Sequence, residues 1–144
     1  MKQRLWDDVE IGEVLEAFDF PLTVYRLVMA AGANRDFNAI HHNPDVARAS
    51  GAPDIYANTL FLQGMWEKAV RVYIGPAGTI RRISGFRMSG FNVAGDRVTV
   101  RGRVIEKAIV DGAGLVTLEI WSENGSDISV GPGRVLATLP RAAR

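Results

Sequence analysis

The chain has 144 residues, a formal net charge of +1 from 17 basic and 16 acidic side chains, and no cysteine. That length suits one domain with a core of its own. The near-balanced charge argues against the strongly basic footprint of a nucleic-acid binder, and the lack of cysteine removes disulfides, thiolate metal sites and a cysteine nucleophile. The basic residues near the start, Lys2 and Arg4, are not followed by an apolar run, so no signal peptide is expected. No run of about 18 apolar residues is present, and a soluble cytoplasmic protein without a membrane partner is the default expectation.

In chain order, residues 13–20 can form a first strand, stopped at Pro21. Thr23 is placed to cap a helix over 24–31, with Leu27, Val28 and Ala31 on its inner face and Gly32 as the left-handed stop. A polar loop follows from Asp36 to His42. Asn43-Pro44-Asp45 then reads as a turn into a short helix over 45–49, closed by Gly51. From Tyr56 to Ile74 the apolar residues run nearly all round a helix, with Thr59, Gln63, Glu67 and Arg71 as a narrow polar stripe. A surface helix has a broader polar face, so this one is expected to be buried on most sides.

After Gly75-Pro76 the period changes to two. Strands are expected over 79–88 (with Gly85 inside), 97–105, 115–121 and 134–139, with turns at Asp111-Gly112-Ala113-Gly114 and Asn124-Gly125, and Pro140 as the last stop. The order is a strand, helices, then a run of antiparallel strands. This is an α+β chain in which one long helix is covered by a sheet.

The loop over 36–42 holds both histidines of the chain. A carboxylate and an imidazole that share one water can divide the work of adding it to a double bond, because histidine exchanges protons near neutral pH. Asp36 and His41, with Asn38 to hold them by hydrogen bonds, are such a candidate pair. Two other readings stand on spacing alone: an Asp and a His that only support a turn, or a metal site completed by His42.

The run Arg35-Asp36-Phe37-Asn38-Ala39-Ile40-His41, with Ala47, Ala49 and Gly51 after it, resembles the hydratase-2 motif Asp-x-Asn-Pro-x-His of the MaoC-like (R)-specific enoyl-CoA hydratases. The opening Trp6-Asp7-Asp8-Val9-Glu10-Ile11-Gly12 and the segment Gly95-Asp96-Arg97-Val98 extend the likeness over nearly the whole chain. The resemblance implies a single hot-dog domain over 1–144, a long central helix wrapped by an antiparallel sheet. It implies reversible hydration of a trans-2-enoyl-CoA to a 3-hydroxyacyl-CoA, with Asp36 and His41 as the catalytic pair and Asn38 as the motif asparagine. It also implies an oxyanion hole from the backbone N–H of Asn58 or Thr59, where helix-start amides are unpaired and partly positive. No cofactor and no metal is expected, since the thioester itself supplies the acidity. The expected partner is a second hot-dog chain, identical or different, with the acyl pocket between the two.

Three positions depart from the pattern. Arg35 stands where glycine is usual, Ala39 replaces the proline, and Ile55-Tyr56-Ala57-Asn58 stands where Ile-Ala-His-Gly is frequent. The set Arg35-Asp36-Phe37, His41-His42, Asp54-Ile55-Tyr56-x-Asn58 and Gly75-Pro76 looks like a narrower group of small MaoC-like subunits acting on bulky acyl-CoAs, including degraded sterol side chains. Arg81 and Arg82 are candidates for the coenzyme A phosphates or for a solvated face. Arg97, Arg101 and Arg103 read as a solvated face, and Met65, Trp66 and Tyr73 as core in preference to an acyl tunnel. The rival functions are a non-catalytic acyl-CoA-binding or structural subunit of a hot-dog heteromer, and an acyl-CoA thioesterase.

Overall fold

The structure is a computed structural model, described here for residues 2–142. Eight elements follow in order: β1 (Phe18–Pro21), α1 (Val24–Ala33), α2 (Pro44–Ala49), α3 (Thr59–Ile74), β2 (Thr79–Ser84), β3 (Arg97–Val110), β4 (Ala113–Asn124) and β5 (Asp127–Leu139). The strands form one antiparallel sheet in the order β1-β3-β4-β5-β2. β1 and β2 are therefore its two edges, and α3 packs across one face.

The core follows from two periodicities meeting. Every second residue of the long strands points inward: Val98, Val100 and Val104 on β3, Val116, Leu118 and Ile120 on β4, and Val135, Ala137 and Leu139 on β5. Against them α3 sets Leu62, Met65, Trp66, Ala69, Val70 and Ile74, each at 2% exposure or less. Trp66 is the largest of these. Its indole N–H donates to Ser122 Oγ on β4 at 2.8 Å, and its ring meets Phe86 edge-on with centroids 4.9 Å apart. A buried indole that keeps its hydrogen bond gains the full benefit of burial without an orphaned donor. The sequence expectation of core for Met65 and Trp66 holds. Tyr73 is half-buried and donates to Glu13 at 3.2 Å. Burial first, and the Glu13 carboxylate second, push its phenol above the usual range, so it stays a donor.

The opposite face of the sheet carries the alternating charges. Arg101 pairs with Glu123 and Arg103 with Glu119, both at 2.7 Å, and Arg97 reaches Asp19 at 3.5 Å. This is the solvated face expected for the arginines of β3.

Several boundaries differ from the sequence expectation. β3, β4 and β5 are longer than predicted, because long neighbours supply ladder partners to residues whose own alternation is weak. β2 is shorter: Gly85 adopts φ +68, which turns the chain out of the ladder, and Met88 returns only as an isolated bridge to Val130. β1 is also shorter and shifted, with Val14 reduced to a bridge with Arg103. α1 runs through Gly32, which is not its stop. Val28 is 40% exposed and faces outward. α3 starts at Thr59, since Asn58 caps it, and its first half is less buried than the apolar count suggests: Leu60 is 56% exposed, and Gly64 and Lys68 follow it on the same exposed line.

Replacing Trp66 by alanine removes both the packing and the indole hydrogen bond, at a cost of about 3–5 kcal/mol in chemical denaturation. A loss below about 1 kcal/mol would contradict its place at the centre of the core.

Candidate active site

The loop begins with the way α1 ends. The Asp36 N–H donates to the Ala31 carbonyl at 2.9 Å and the Arg35 N–H to the Gly32 carbonyl at 3.1 Å, while Arg35 itself adopts φ 55. These are the two bonds and the left-handed residue of a Schellman end, with Arg35 at the position that favours glycine. The glycine usual in the resembling motif thus has a conformational reason, and arginine here adopts the same turn under strain. The turn projects Asp36 away from the helix, its side chain 36% exposed.

His41 is placed by a single 3-10 turn over Ala39–His41. Asn38 caps that turn: its Oδ1 accepts from the Ile40 N–H at 3.2 Å. Asn38 is exposed, and its recorded bond is to this turn and not to the pair, so it supports His41 by shaping the backbone that carries it. His41 is 5% exposed. Its Nδ1 lies 2.7 Å from the Tyr56 carbonyl oxygen and its Nε2 3.0 Å from Asp36 Oδ2. The Tyr56 ring meets the imidazole edge-on at 5.5 Å.

Hydrogen-bond roles fix the protons. A carbonyl oxygen only accepts, so Nδ1 must carry the hydrogen it donates to Tyr56. A neutral imidazole would then turn a bare Nε2 toward Asp36, and a carboxylate has no hydrogen to offer. Asp36 Oδ2, 3.0 Å from Nε2, is within ion-pair distance of the ring when Nε2 carries a hydrogen. The geometry sets Asp36 Oδ2 beside Nε2, with the other carboxylate oxygen of Asp36 left over.

Beyond Tyr56 the chain enters α3. Asn58, 5% exposed, accepts at its Oδ1 from the Phe61 N–H at 2.9 Å and from Asn34 Nδ2 at 3.2 Å. The pair of asparagines ties the end of α1 to the start of α3. The Tyr56 segment is held in turn by Val93, which bridges Tyr56, and by the Ala57 N–H donating to the Asn92 carbonyl at 2.9 Å. Sequence reasoning did not assign Asn34 or the Tyr56 carbonyl; the only signal for the latter was its place just before the long helix.

His42 is exposed and ends the 3-10 turn. Among the described residues no three His, Asp or Glu side chains converge as a metal-ligand set. Arg81 and Arg82 are exposed on the edge strand β2, at a bulge, with no ion-pair partner among the described residues. Among those residues no helix is long and apolar enough to cross a membrane.

The helix held in the curl of an antiparallel sheet defines a hot-dog protein. No family model matches the chain. The β subunit of 3-oxo-4,17-pregnadiene-20-carboxyl-CoA hydratase of Mycobacterium tuberculosis is 37% identical over 98 residues, 68% of this chain and 72% of that one. The ChsH1–ChsH2 complex of the same organism superposes with a TM-score of 0.79 at 31% identity, over 92% of this chain and 98% of that one. The (R)-hydratase of A. caviae superposes with a TM-score of 0.81 over 92% and 98% of the two chains; at 18% identity it shows the fold alone. The chain belongs to the MaoC-like hot-dog hydratases, in their small-subunit group.

Arg35→Gly relieves the left-handed strain and stabilises the protein by about 1 kcal/mol, read as an increase in thermal unfolding temperature. Destabilisation by that substitution would mean that the arginine side chain makes contacts that outweigh its backbone cost.

Proposed function

We propose that this chain catalyses the reversible hydration of a trans-2-enoyl-CoA to a 3-hydroxyacyl-CoA, with Asp36 and His41 as its acid/base pair. The observation that carries the reading is the 3.0 Å contact between His41 Nε2 and Asp36 Oδ2, with Nδ1 already committed to the Tyr56 carbonyl. As the water oxygen bonds to C3, one water O–H bond breaks and its proton passes to the pair. The pair releases a proton to C2, where the C–H bond forms. One proton enters and one leaves, so the pair ends as it began.

Charge that develops on the thioester oxygen during the addition falls to the unpaired N–H groups at the start of α3, from Asn58 or Thr59. Their fixed direction makes them an oxyanion hole that needs no reorganisation. Arg81 and Arg82 carry the coenzyme A phosphates, and no cofactor takes part. A second hot-dog chain, identical or different, is the partner; the relative in the ChsH1–ChsH2 complex is found with one.

A second reading has one observation in its favour. Asn58 and Arg35 occupy positions where the resembling motif has glycine, which fits a subunit that binds acyl-CoA without turning it over.

Purified protein incubated with trans-2-enoyl-CoAs is expected to bleach the conjugated-enoyl absorbance without releasing free thiol. Asp36→Asn and His41→Asn each lower kcat by about 100-fold or more while the protein stays folded. Thiol release would indicate thioester hydrolysis instead, and full activity in either variant would remove that residue from the chemistry.

A further inference from the structure

Tyr56 meets His41 twice. Its carbonyl accepts the imidazole's Nδ1 hydrogen at 2.7 Å, and its ring lies against the imidazole with centroids 5.5 Å apart and planes at 77°. The carbonyl is backbone, so any residue at this position supplies it. The ring is particular to tyrosine: the alanine frequent at this place in the resembling motif gives the same acceptor and no ring.

The surroundings show what the ring does. Tyr56 also lines a cavity of about 400 Å³, together with Leu62, Met88, Phe91 and Asn92. His41 does not line it and is 5% exposed, although it packs on the ring that does. The Tyr56 ring thus stands between the imidazole and a space large enough to hold water. The ring is itself held. Phe91 packs on it with centroids 5.0 Å apart. The backbone after Phe91 is tied to the same segment: the Ala57 N–H donates to the Asn92 carbonyl at 2.9 Å, and Val93 bridges Tyr56.

Two effects of this wall bear on His41. Water that reaches a hydrogen bond offers both of its groups another partner, so a bond closed to water holds better. Edge-on packing is also a preferred arrangement of aromatic rings. It resists a rotation of the imidazole that would carry Nε2 away from Asp36, 3.0 Å distant.

We propose that the Tyr56 side chain is a positioning residue for His41: its ring seals the imidazole from the adjoining cavity and so keeps Nε2 turned toward Asp36. The seal is a property of the folded chain. Its effect on turnover rests on the hydratase reading, and the two are measured separately.

The test compares Tyr56→Ala, Tyr56→Phe and Met88→Ala with the wild type. Tyr56→Ala keeps the carbonyl and opens the cavity onto the imidazole. Tyr56→Phe keeps the ring, and Met88→Ala widens the same cavity with the ring in place. Tyr56→Val stands in for Tyr56→Ala if the alanine variant does not fold. The first readout is exchange of the His41 Nδ1 hydrogen with water by NMR, which needs no substrate; the other imidazole, His42, is exposed. The second is kcat and KM over a panel of short, long and polycyclic trans-2-enoyl-CoAs. Exchange is expected to be slow in the wild type and about tenfold or more faster in Tyr56→Ala. Tyr56→Phe and Met88→Ala are expected to stay near the wild-type rate. Tyr56→Ala is expected to lower kcat by about tenfold with KM little changed, and Tyr56→Phe to restore most of that loss.

Fast exchange of that hydrogen in the wild type overturns the seal. So does an unchanged rate in Tyr56→Ala, or an equally raised rate in Met88→Ala; turnover by the wild type then leaves the hydratase reading standing. Raised exchange in Tyr56→Ala with full kcat overturns the positioning role. The expected order of exchange rates with no turnover by the wild type supports the seal and goes against the hydratase reading.

Discussion

One imidazole stands between two oxygens, the Tyr56 carbonyl at Nδ1 and the Asp36 carboxylate at Nε2. The Tyr56 carbonyl takes the hydrogen on His41 Nδ1, which leaves Nε2 facing Asp36 at 3.0 Å. Everything else around the site acts on this geometry. The ring is buried, so water does not compete for either bond. The carboxylate is partly open to solvent. Burial and the bond at Nδ1 hold the ring in a fixed orientation toward Asp36.

Three backbone features keep the ring and the carboxylate in place, and each comes from a different part of the chain. The Schellman end of α1 aims Asp36, the Asn38-capped turn aims His41, and the bridge between Tyr56 and Val93 fixes the carbonyl. Asn34 and Asn58 then join the end of α1 to the start of α3, so the loop is tied to the central helix. α3 itself is held by Trp66 in the core. α3 thereby gives the loop a fixed platform within the small-subunit MaoC-like hot-dog fold.

Much of this was legible in the sequence because it rests on local rules. The Thr23 and Asn43 caps form as their side chains dictate. Period-two alternation located β3 and β4, and the density of acid/base groups singled out Asp36 and His41. The misses came where a tertiary partner decides. Gly32 looks like a helix stop, yet α1 continues until Arg35 turns left-handed, because the loop must leave at Asp36. Leu60 looks like core and is exposed, since apolar count does not say which neighbours a helix has. Asn38 was expected to hold the pair directly and instead caps the turn beneath His41. The Tyr56 carbonyl carries no side-chain signal at all, so a backbone acceptor that sets the histidine tautomer is visible only in three dimensions.

Nitrogen-15 NMR of the histidine rings tests the central claim most directly, and the chain has only two histidines to distinguish. His41 is expected to keep a hydrogen on Nδ1 whether or not the ring is charged, with Nε2 as the nitrogen that responds when Asp36 is changed to Asn. A neutral His41 with its hydrogen on Nε2 and a bare Nδ1 would overturn this assignment, because the Tyr56 carbonyl would then have nothing to accept.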